Sequence, residues 1–195
     1  MGDLNLSLDE YKKLVKDLES GITADKLLKI VDMTEKVGFL KIVKDESLRE
    51  FLPSLRDKLA ELSADDLKKL IPKFMPVMFR GMQELIEASE EAKEELADME
   101  DMTLVISVPD MNLGIHMKIE DGKFSAGEGE VDSPSLKIKM SEDTFMKMAS
   151  GELDAMAAYM SGEIQLEGDM TKAMAIRPIM DILSDEYEFD LGIMG

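Results

Sequence analysis

Hydrophobic and polar residues follow different patterns in the two halves of this chain. Up to residue 101, apolar residues recur every three or four positions, which is the spacing of one face of an α-helix. From residue 102 onward, short segments alternate apolar with polar residues, which is typical of strands that bury one face. The pattern predicts an all-α region over residues 1–83, an acidic helical connector over 84–101 and an α+β domain over 102–195.

Start and stop signals divide the beginning of the chain into helices. Ser7 and Glu10 have the spacing of a capping box, which predicts a helix that begins at Ser7 and ends at Gly21. Thr23 predicts a second helix start, and Gly38 predicts a break after it. Two helices are therefore expected between residues 7 and 38.

Two further helices are predicted before the change of pattern. One covers residues 47–62, and the other begins at Ser63. Pro72 and Pro76 are expected to interrupt the second helix, because proline lacks the amide donor and clashes with the preceding turn. The acidic run Glu87–Asp101 is interpreted as a solvated helix face or a spacer.

Five segments of the second half predict β-strands. The last four have one apolar and one polar face, and a sheet with one solvated face is usually antiparallel, with its helices on the other face. Asp121-Gly122 is a strong hairpin signal between the second and third segments. The predicted strands are 103–108, 113–120, 123–127, 136–140 and 163–167.

Three helical segments are predicted to cover the apolar face of this sheet. They begin near Ser141, Leu153 and Asp169. Methionines recur in them at helical spacing, and we expect these side chains to face the core. They are Met148, Met156, Met160, Met170, Met174 and Met180.

The net charge restricts the partners of the protein. Forty-two acidic residues against 23 basic ones give a formal charge of −19. Both nucleic-acid binding and lasting attachment to an anionic membrane need Lys and Arg to neutralise phosphate, so we expect no nucleic acid and at most transient membrane contact. No leader segment or apolar stretch near the ~18 residues of a membrane span is visible, which favours a cytoplasmic protein.

Residues suited to catalysis are sparse. The chain has no cysteine and one histidine, His116, which falls on the polar face of its strand and is interpreted as solvated rather than as a general base. Gly127-Glu128-Gly129 resembles part of a phosphate loop, but its acidic neighbours favour a simple turn. The sequence singles out no pair of carboxylates. We therefore expect no enzymatic activity, no cofactor and no metal site.

Two features have more than one interpretation. The 18 methionines either fill the core, which is favoured, or line a pocket for a variable apolar ligand. Residues 74–82, with Pro76, three methionines and two phenylalanines, are either a packing face between helices, which is favoured, or a lid or docking surface.

A series of short motifs runs through the last two strands and three helices. The motifs are residues 135–141, Asp143, Phe145, Met148, 150–154, 158–164, 166–170 and Ala173. In this order, within about residues 102–185, they resemble the sterol carrier protein type-2 family of lipid-binding domains. The tryptophan common in one strand of the family is absent from residues 113–119, and residues 1–101 resemble no family that we recognise.

The resemblance implies a five-stranded, mainly antiparallel sheet covered on one face by helices. Between sheet and helices it implies an elongated apolar cavity for a fatty acyl chain, a sterol or an isoprenoid-like lipid. Carried over by position, the ligand-binding residues are Leu104, Ile106, Leu113, Ile115, Met117, Leu136, Ile138, Met140, Phe145, Met148, Met156, Met160, Ile164, Leu166 and Met174.

The resulting hypothesis is a non-enzymatic lipid-binding or lipid-carrier protein. The alternative is an accessory module that presents a hydrophobic intermediate to a partner enzyme through the N-terminal helices. Residues 1–100 would then contact a protein partner, or a second copy of the chain in a homodimer.

Overall fold

A computed structural model describes residues 2–49, 62–149 and 152–188 of the 195-residue chain. These residues divide into two compact units. The first comprises the described residues up to Leu85 together with 187–188, and the second comprises the described residues between them. The predicted fold class is confirmed, since the N-terminal part is helical and the second unit combines helices with a five-stranded sheet.

The N-terminal helices begin and end at several of the expected signals. The Thr23 hydroxyl accepts a hydrogen bond from the Lys26 amide at 3.3 Å, and Gly38 ends the same helix with a φ of 89°. Gly21 ends a short 3₁₀ turn in the same way, with a φ of 125°. The helices are α1 (Gly2–Asp17), α2 (Ala24–Val37), α3 (Phe39–Lys44), α4 (Glu46–Arg49) and α5 (Ala64–Ala88).

Helix α1 begins earlier than predicted. It starts at Gly2 and passes through Ser7, so Ser7 is not its N-cap and the capping-box prediction was wrong. In the sequence Leu4 lies one helical turn before Leu8, so the apolar spacing continues upstream of the predicted cap. A local capping signal does not determine where a helix begins when the amphipathic pattern extends upstream of that signal.

Helix α5 is continuous through both of its prolines, so the predicted interruption was also wrong. Pro72 is exposed on the helix surface, where carbonyl groups that lose their amide partner turn towards water. Pro76 lies one turn further along, so the carbonyl that loses its partner there is that of Pro72 itself. Leu70 and Val77 are buried in the core on either side of these positions, and this packing holds the two halves in one helix.

Two further expectations concern the same region. Val77, Phe79 and Met82 are buried, so the structure favours the packing interpretation of residues 74–82. The greater part of the helix predicted over 47–62 lies outside the described residues.

The first unit has a hydrophobic core with one buried polar pair. The Thr34 hydroxyl donates a hydrogen bond to the Ile30 carbonyl at 2.8 Å and lies 3.2 Å from the Tyr11 hydroxyl. Burial raises the pKa of the Tyr11 phenol. Around this pair the buried core consists of Val15, Leu18, Leu27, Ile30, Val31, Val37, Ile42, Leu48, Leu70 and Val77.

The second unit contains a helix from the acidic run, packed against a β-hairpin. This helix, α6 (Glu90–Asp98), is capped by the Ser89 hydroxyl, which accepts an amide hydrogen bond at 3.1 Å. Leu96 is buried, and a Cβ atom on Gly122 of the hairpin would lie 3.1 Å from the Cα of Ala97. The acidic run is therefore a helix with one solvated face and one packed face.

Five strands form the sheet in the order β3-β2-β1-β4-β5. Strands β1 and β4 are parallel and the other three pairs are antiparallel, which confirms a mainly antiparallel sheet. The strands are β1 (Met102–Val108), β2 (Leu113–Glu120), β3 (Lys123–Glu128), β4 (Leu136–Met140) and β5 (Ile164–Gly168). The helices that follow or separate them are α7 (Glu142–Ala149), α8 (Ala155–Met160), α9 (Thr171–Ala175) and α10 (Arg177–Tyr187).

The turn between β2 and β3 is the predicted two-residue hairpin. Asp121 and Gly122 both have positive φ, 50° and 67°, as the turn type that suits right-handed strand twist requires. The Asp101 carboxylate accepts a hydrogen bond from the Asp121 amide at 2.9 Å, which fixes the turn against the start of β1.

The pairing register places nearly all apolar strand positions on one face of the sheet, because directly opposed residues point to the same side. This apolar face consists of Met102, Leu104, Ile106, Val108, Leu113, Ile115, Met117, Ile119, Phe124, Ala126, Leu136, Ile138, Met140, Ile164 and Leu166. The opposite, polar face consists of Thr103, Val105, Ser107, His116, Lys118, Ser125, Lys137, Lys139, Gln165 and Glu167.

Gly168 at the end of β5 offers a test of this pairing. A Cβ atom there would lie 2.3 Å from the Ser135 carbonyl oxygen, at a φ of 115°. We expect Gly168→Ala to lower the free energy of unfolding by ~3 kcal/mol or more, through strain plus a backbone clash. Gly162→Ala is the matched control, because Gly162 also has positive φ but nothing lies within 4 Å of its Cβ position, so its cost is ~1–2 kcal/mol.

Urea unfolding followed by circular dichroism measures both changes. Equal losses in the two variants would contradict the close β4–β5 approach at Ser135.

Candidate ligand-binding site

The centre of the apolar face is less buried than its surroundings. Ile106, Ile138 and Leu166 lie in register across β1, β4 and β5, and we call them the central row. All three side chains are only half-buried. On one side of the row, Leu104 and Leu136 are fully buried neighbours in the same strands.

The row on the other side is buried as well. Met140 and Ile164 are directly opposed in β4 and β5, and each is 7% exposed. In a filled core the middle of a sheet face is normally at least as buried as its margins, since interiors pack without voids. Three half-buried aliphatic side chains therefore lie between two rows of buried ones on this face.

Side chains from the covering segments border the central row. Phe145 and Met148 of α7, with Leu153 after it, are partly buried and pack against the same cluster as the central row. Helix α7 is held at its start by the Ser141 hydroxyl, which accepts a hydrogen bond from the Thr144 amide at 3.2 Å. The site thus has a rigid floor of strands and a border of flexible or aromatic side chains.

The predicted ligand-binding residues fall into three groups by burial. The buried ones are Leu104, Ile115, Leu136, Met140 and Ile164. The half-buried ones are Ile106, Leu113, Met117, Ile138, Phe145, Met148 and Leu166. The exposed ones are Met156, Met160 and Met174. The assignment of ligand contact to these fifteen residues stays a prediction.

Four residues of this cluster are absent from the predicted ligand-binding residues, namely Val108, Met111, Leu153 and Ala158. Met111 and Leu153 pack against the cluster from the turn after β1 and from the segment before α8. Met111 follows Pro109-Asp110, which indicated only a strand end, and Leu153 had been placed inside a helix. A turn residue carries no periodicity, so its burial becomes visible only in three dimensions.

The expectation that methionines of α8 face the core was wrong. Met156 is 64% exposed and Met160 is 79% exposed, whereas the residue midway between them, Ala158, is fully buried. Residues two positions apart lie on nearly opposite sides of a helix, so burial of Ala158 turns both methionines outward. The helix begins after Asp154, whose carboxylate caps it at 2.8 Å, and its apolar residues on every side gave no indication of the buried face.

The methionines of α9 are also exposed, against expectation. Met174 is 61% exposed and Met170 is exposed as well. The chain turns at Ile176 between α9 and α10, and the buried side chains there are Ile176, Ile179 and Leu183. Asp169 does act at the predicted helix start, because its carboxylate accepts a hydrogen bond from the Thr171 amide at 2.9 Å.

Residues 129–135, which we call the crossing segment, pack on part of the polar face of the sheet. Between β3 and β4, Glu130 accepts a hydrogen bond from the Ser107 hydroxyl on β1 and pairs with the Lys137 ammonium on β4 at 2.5 Å. The Lys137 contact, with the Ser107 hydrogen bond, holds the pKa of the Glu130 carboxyl below its ordinary value. Val105 and Ser107 on this face are buried, so the face is less solvated than predicted.

His116 belongs to the same polar face and has a structural setting. Its Nδ1 lies 3.0 Å from the Gly129 carbonyl oxygen, and its ring occupies the space that a Cβ on Gly127 would need, at 2.8 Å. Gly127 is directly opposite His116 in the β2–β3 pair. The ring is therefore half-buried against the crossing segment rather than freely solvated.

A metal centre and a membrane span are both absent from the residues that the structure describes. Among them no group of three His, Asp or Glu side chains is placed to hold a metal ion. In the same part of the chain, every helix is too short or too polar to cross a bilayer.

Comparison with known families identifies the second unit. The model of the SCP-2 sterol transfer family matches residues 82–181, which is just over half of the chain. The match begins before α6 and ends within α10, so it includes the whole sheet. The resemblance seen in the sequence is confirmed.

Curated relatives match a shorter part of the chain. Hydroxysteroid dehydrogenase-like protein 2 of Bos taurus is 31% identical over 72 residues, which are 37% of this chain and 17% of the relative. The Homo sapiens protein of the same name is 31% identical over 67 residues, 34% of this chain and 16% of the relative. This chain therefore spans less than a fifth of the length of either relative.

Solved structures show similarity at low sequence identity. The UbiJ-SCP2 ubiquinone synthesis protein is 14% identical, with a TM-score of 0.40, and the alignment covers 56% of this chain and 98% of that one. Sterol carrier protein 2 from Yarrowia lipolytica is 15% identical, with a TM-score of 0.40 and coverage of 56% and 88%. The sec-alkylsulfatase Pisa1 from Pseudomonas sp. is 20% identical, with a TM-score of 0.36 and coverage of 85% and 31%.

The contacts of Glu130 on the polar face predict a pH dependence. Because the folded state lowers the pKa of this carboxyl, its stabilising effect is complete above the ordinary glutamate pKa and is lost as the pH falls through the lowered value. We expect Glu130→Gln to cost ~0.5–1 kcal/mol of unfolding free energy at pH 6, because the pair is partly exposed. The difference from the unchanged protein should shrink towards pH 3.

Urea unfolding at the two pH values measures this difference, and Glu128→Gln, at an exposed acid at the end of β3, is the control. A Glu130→Gln deficit that stayed constant between pH 6 and pH 3 would contradict the assignment.

Proposed function

Because the chain belongs to the SCP-2 sterol transfer family, we propose that its second unit binds one apolar ligand above the central row and acts as a lipid carrier. The ligand class is a fatty acyl chain, a sterol-like molecule or an isoprenoid-like lipid. Contact with membranes is transient, since a chain of charge −19 is repelled by anionic lipid surfaces.

The incomplete burial of Ile106, Ile138 and Leu166 is the observation that carries this proposal. An apolar chain laid along these residues removes their remaining surface from water, and such burial stabilises a complex by ~25 cal/mol per Å². Strand positions on both sides are already buried, so the ligand completes a core that the protein leaves open. Flexible Met148 and aromatic Phe145 allow the border to adapt to ligands of different shape.

A non-enzymatic role is part of the proposal. The central row and its border, Phe145 and Met148, consist of hydrocarbon and thioether side chains. These groups neither donate nor accept protons at neutral pH, and general acid–base or nucleophilic catalysis requires groups that do. The chemistry of the site thus supports holding a ligand rather than converting it.

Co-purified lipid is the first expected outcome. Native mass spectrometry of the full chain should show a population heavier than the polypeptide, whose extra mass disappears after organic extraction and is identified as lipid. A chain that carries no lipid and also fails to bind a fluorescent fatty acid at micromolar concentration would overturn the carrier function.

Replacing one residue of the central row tests where the ligand lies. We expect Ile138→Gln to weaken fluorescent fatty-acid binding ~10–100-fold, because it removes an aliphatic contact and leaves an amide in an apolar space. Lys139→Gln is the matched control on the opposite face of the same strand and should leave the affinity unchanged.

Stability separates a binding position from a core position. Ile138→Gln should cost less unfolding free energy than Leu136→Gln, since Leu136 is fully buried and Ile138 is not. Unchanged fatty-acid affinity in Ile138→Gln, with normal folding, would place the ligand elsewhere.

A further inference from the structure

A surface of exposed methionines lies outside the apolar site. Among the residues whose side chains the structure describes, five large hydrophobic ones are exposed, and all five belong to one segment of the second unit. We call them the methionine patch: Met156, Tyr159, Met160, Met170 and Met174. Soluble proteins seldom expose contiguous apolar groups of this kind without a binding role.

The five side chains are linked into one surface. Met156, Tyr159 and Met160 have the i, i+3, i+4 spacing of one face of α8. The Tyr159 hydroxyl donates a hydrogen bond to the Met170 sulfur at 3.3 Å, which joins α8 to the start of α9. Met174 lies one helical turn after Met170.

The patch points away from the central row. Ala158 is the residue of α8 that packs on the cluster around the central row, and it lies on the opposite side of that helix from Met156 and Met160. The outward methionines of α8 therefore form a surface that is separate from the central row.

Acidic residues flank the patch along the chain. Residues 152–176 contain five exposed acids and one basic residue, Lys172, whose ammonium is paired with Glu100 at 2.6 Å. The five acids are Glu152, Asp154, Glu163, Glu167 and Asp169. Glu167 lies on the polar face of the sheet, so the acidic rim consists of the other four. An apolar surface with this rim attracts a cationic, amphipathic partner and repels an anionic one.

We propose that the methionine patch and its acidic rim dock a basic amphipathic helix of a partner protein. Unbranched thioether side chains adapt to different helix surfaces, which suits recognition of a helix by its apolar face. The carboxylates around them complement Lys and Arg on the flanks of that helix. Anionic membrane is disfavoured as the occupant, because the patch region has no unpaired basic residue among the described side chains to contact lipid phosphate.

A synthetic peptide of Leu and Lys, with its leucines on one helical face, is the probe for the full chain. Calorimetry should show binding that weakens with added salt, and a peptide with Glu in place of Lys should not bind. The triple variant Met156→Gln/Met160→Gln/Met174→Gln should weaken binding about tenfold. Glutamine is a good helix former at exposed positions, and circular dichroism checks that the variant folds.

A matched pair of charge variants tests the acidic rim. Glu152→Gln/Glu163→Gln removes two rim charges and should weaken peptide binding several-fold, whereas Glu91→Gln/Glu94→Gln removes two exposed charges from α6 and should not. Equal weakening by both pairs would indicate non-specific attraction to an acidic protein and would overturn the proposal. So would peptide binding that ignores the methionine substitutions, or a patch that binds neutral lipid vesicles or a second copy of the chain instead.

Discussion

The registry of β1 with its two neighbours is the constraint on which the second unit depends. Strand β1 pairs with β2 in the antiparallel sense and with β4 in the parallel sense, and in both pairs apolar residues oppose apolar residues. A slip of one residue in either pair would move a whole strand's hydrophobic set to the other face. Because Leu104 and Leu136 are fully buried on the apolar face, such a slip is strongly disfavoured. The three residues of the central row are aligned only because β1, β4 and β5 keep this pairing register.

The parallel β1–β4 pair also determines how the two faces are used. Strand β4 lies on the other side of β1 from β2 and β3, so the chain must cross the sheet between β3 and β4. It crosses on the polar face, where Glu130 contacts Ser107 and Lys137. The apolar face is thereby left to helices that follow the strands, and Ile138 stays half-buried there.

Features encoded by neighbouring residues were predictable, and features that depend on distant contacts were not. The strands, the Asp121-Gly122 turn and the Thr23 helix start are all visible in a few consecutive residues, and the structure has them where expected. The buried face of helix α8 was predicted wrongly because its sequence, AMAAYM, is apolar on every side. Periodicity therefore could not identify Ala158 as the buried residue. The half-buried state of the central row depends on α7, and no strand sequence contains that information.

The central row takes one residue from β1, one from β4 and one from β5, and this has a kinetic consequence. Strands β1, β2 and β3 follow one another through short connections, so their contacts are local and form without long loop closure. Strands β4 and β5 come later in the chain, so the contact between β1 and β4 requires a longer loop to close. A ligand seated on the row would bridge the early and late parts of the sheet, and would slow local opening of β4 and β5 in particular. A bound ligand would thus slow the unfolding of β4 and β5, and the ligand-free protein would exchange the amide hydrogens of these two strands first.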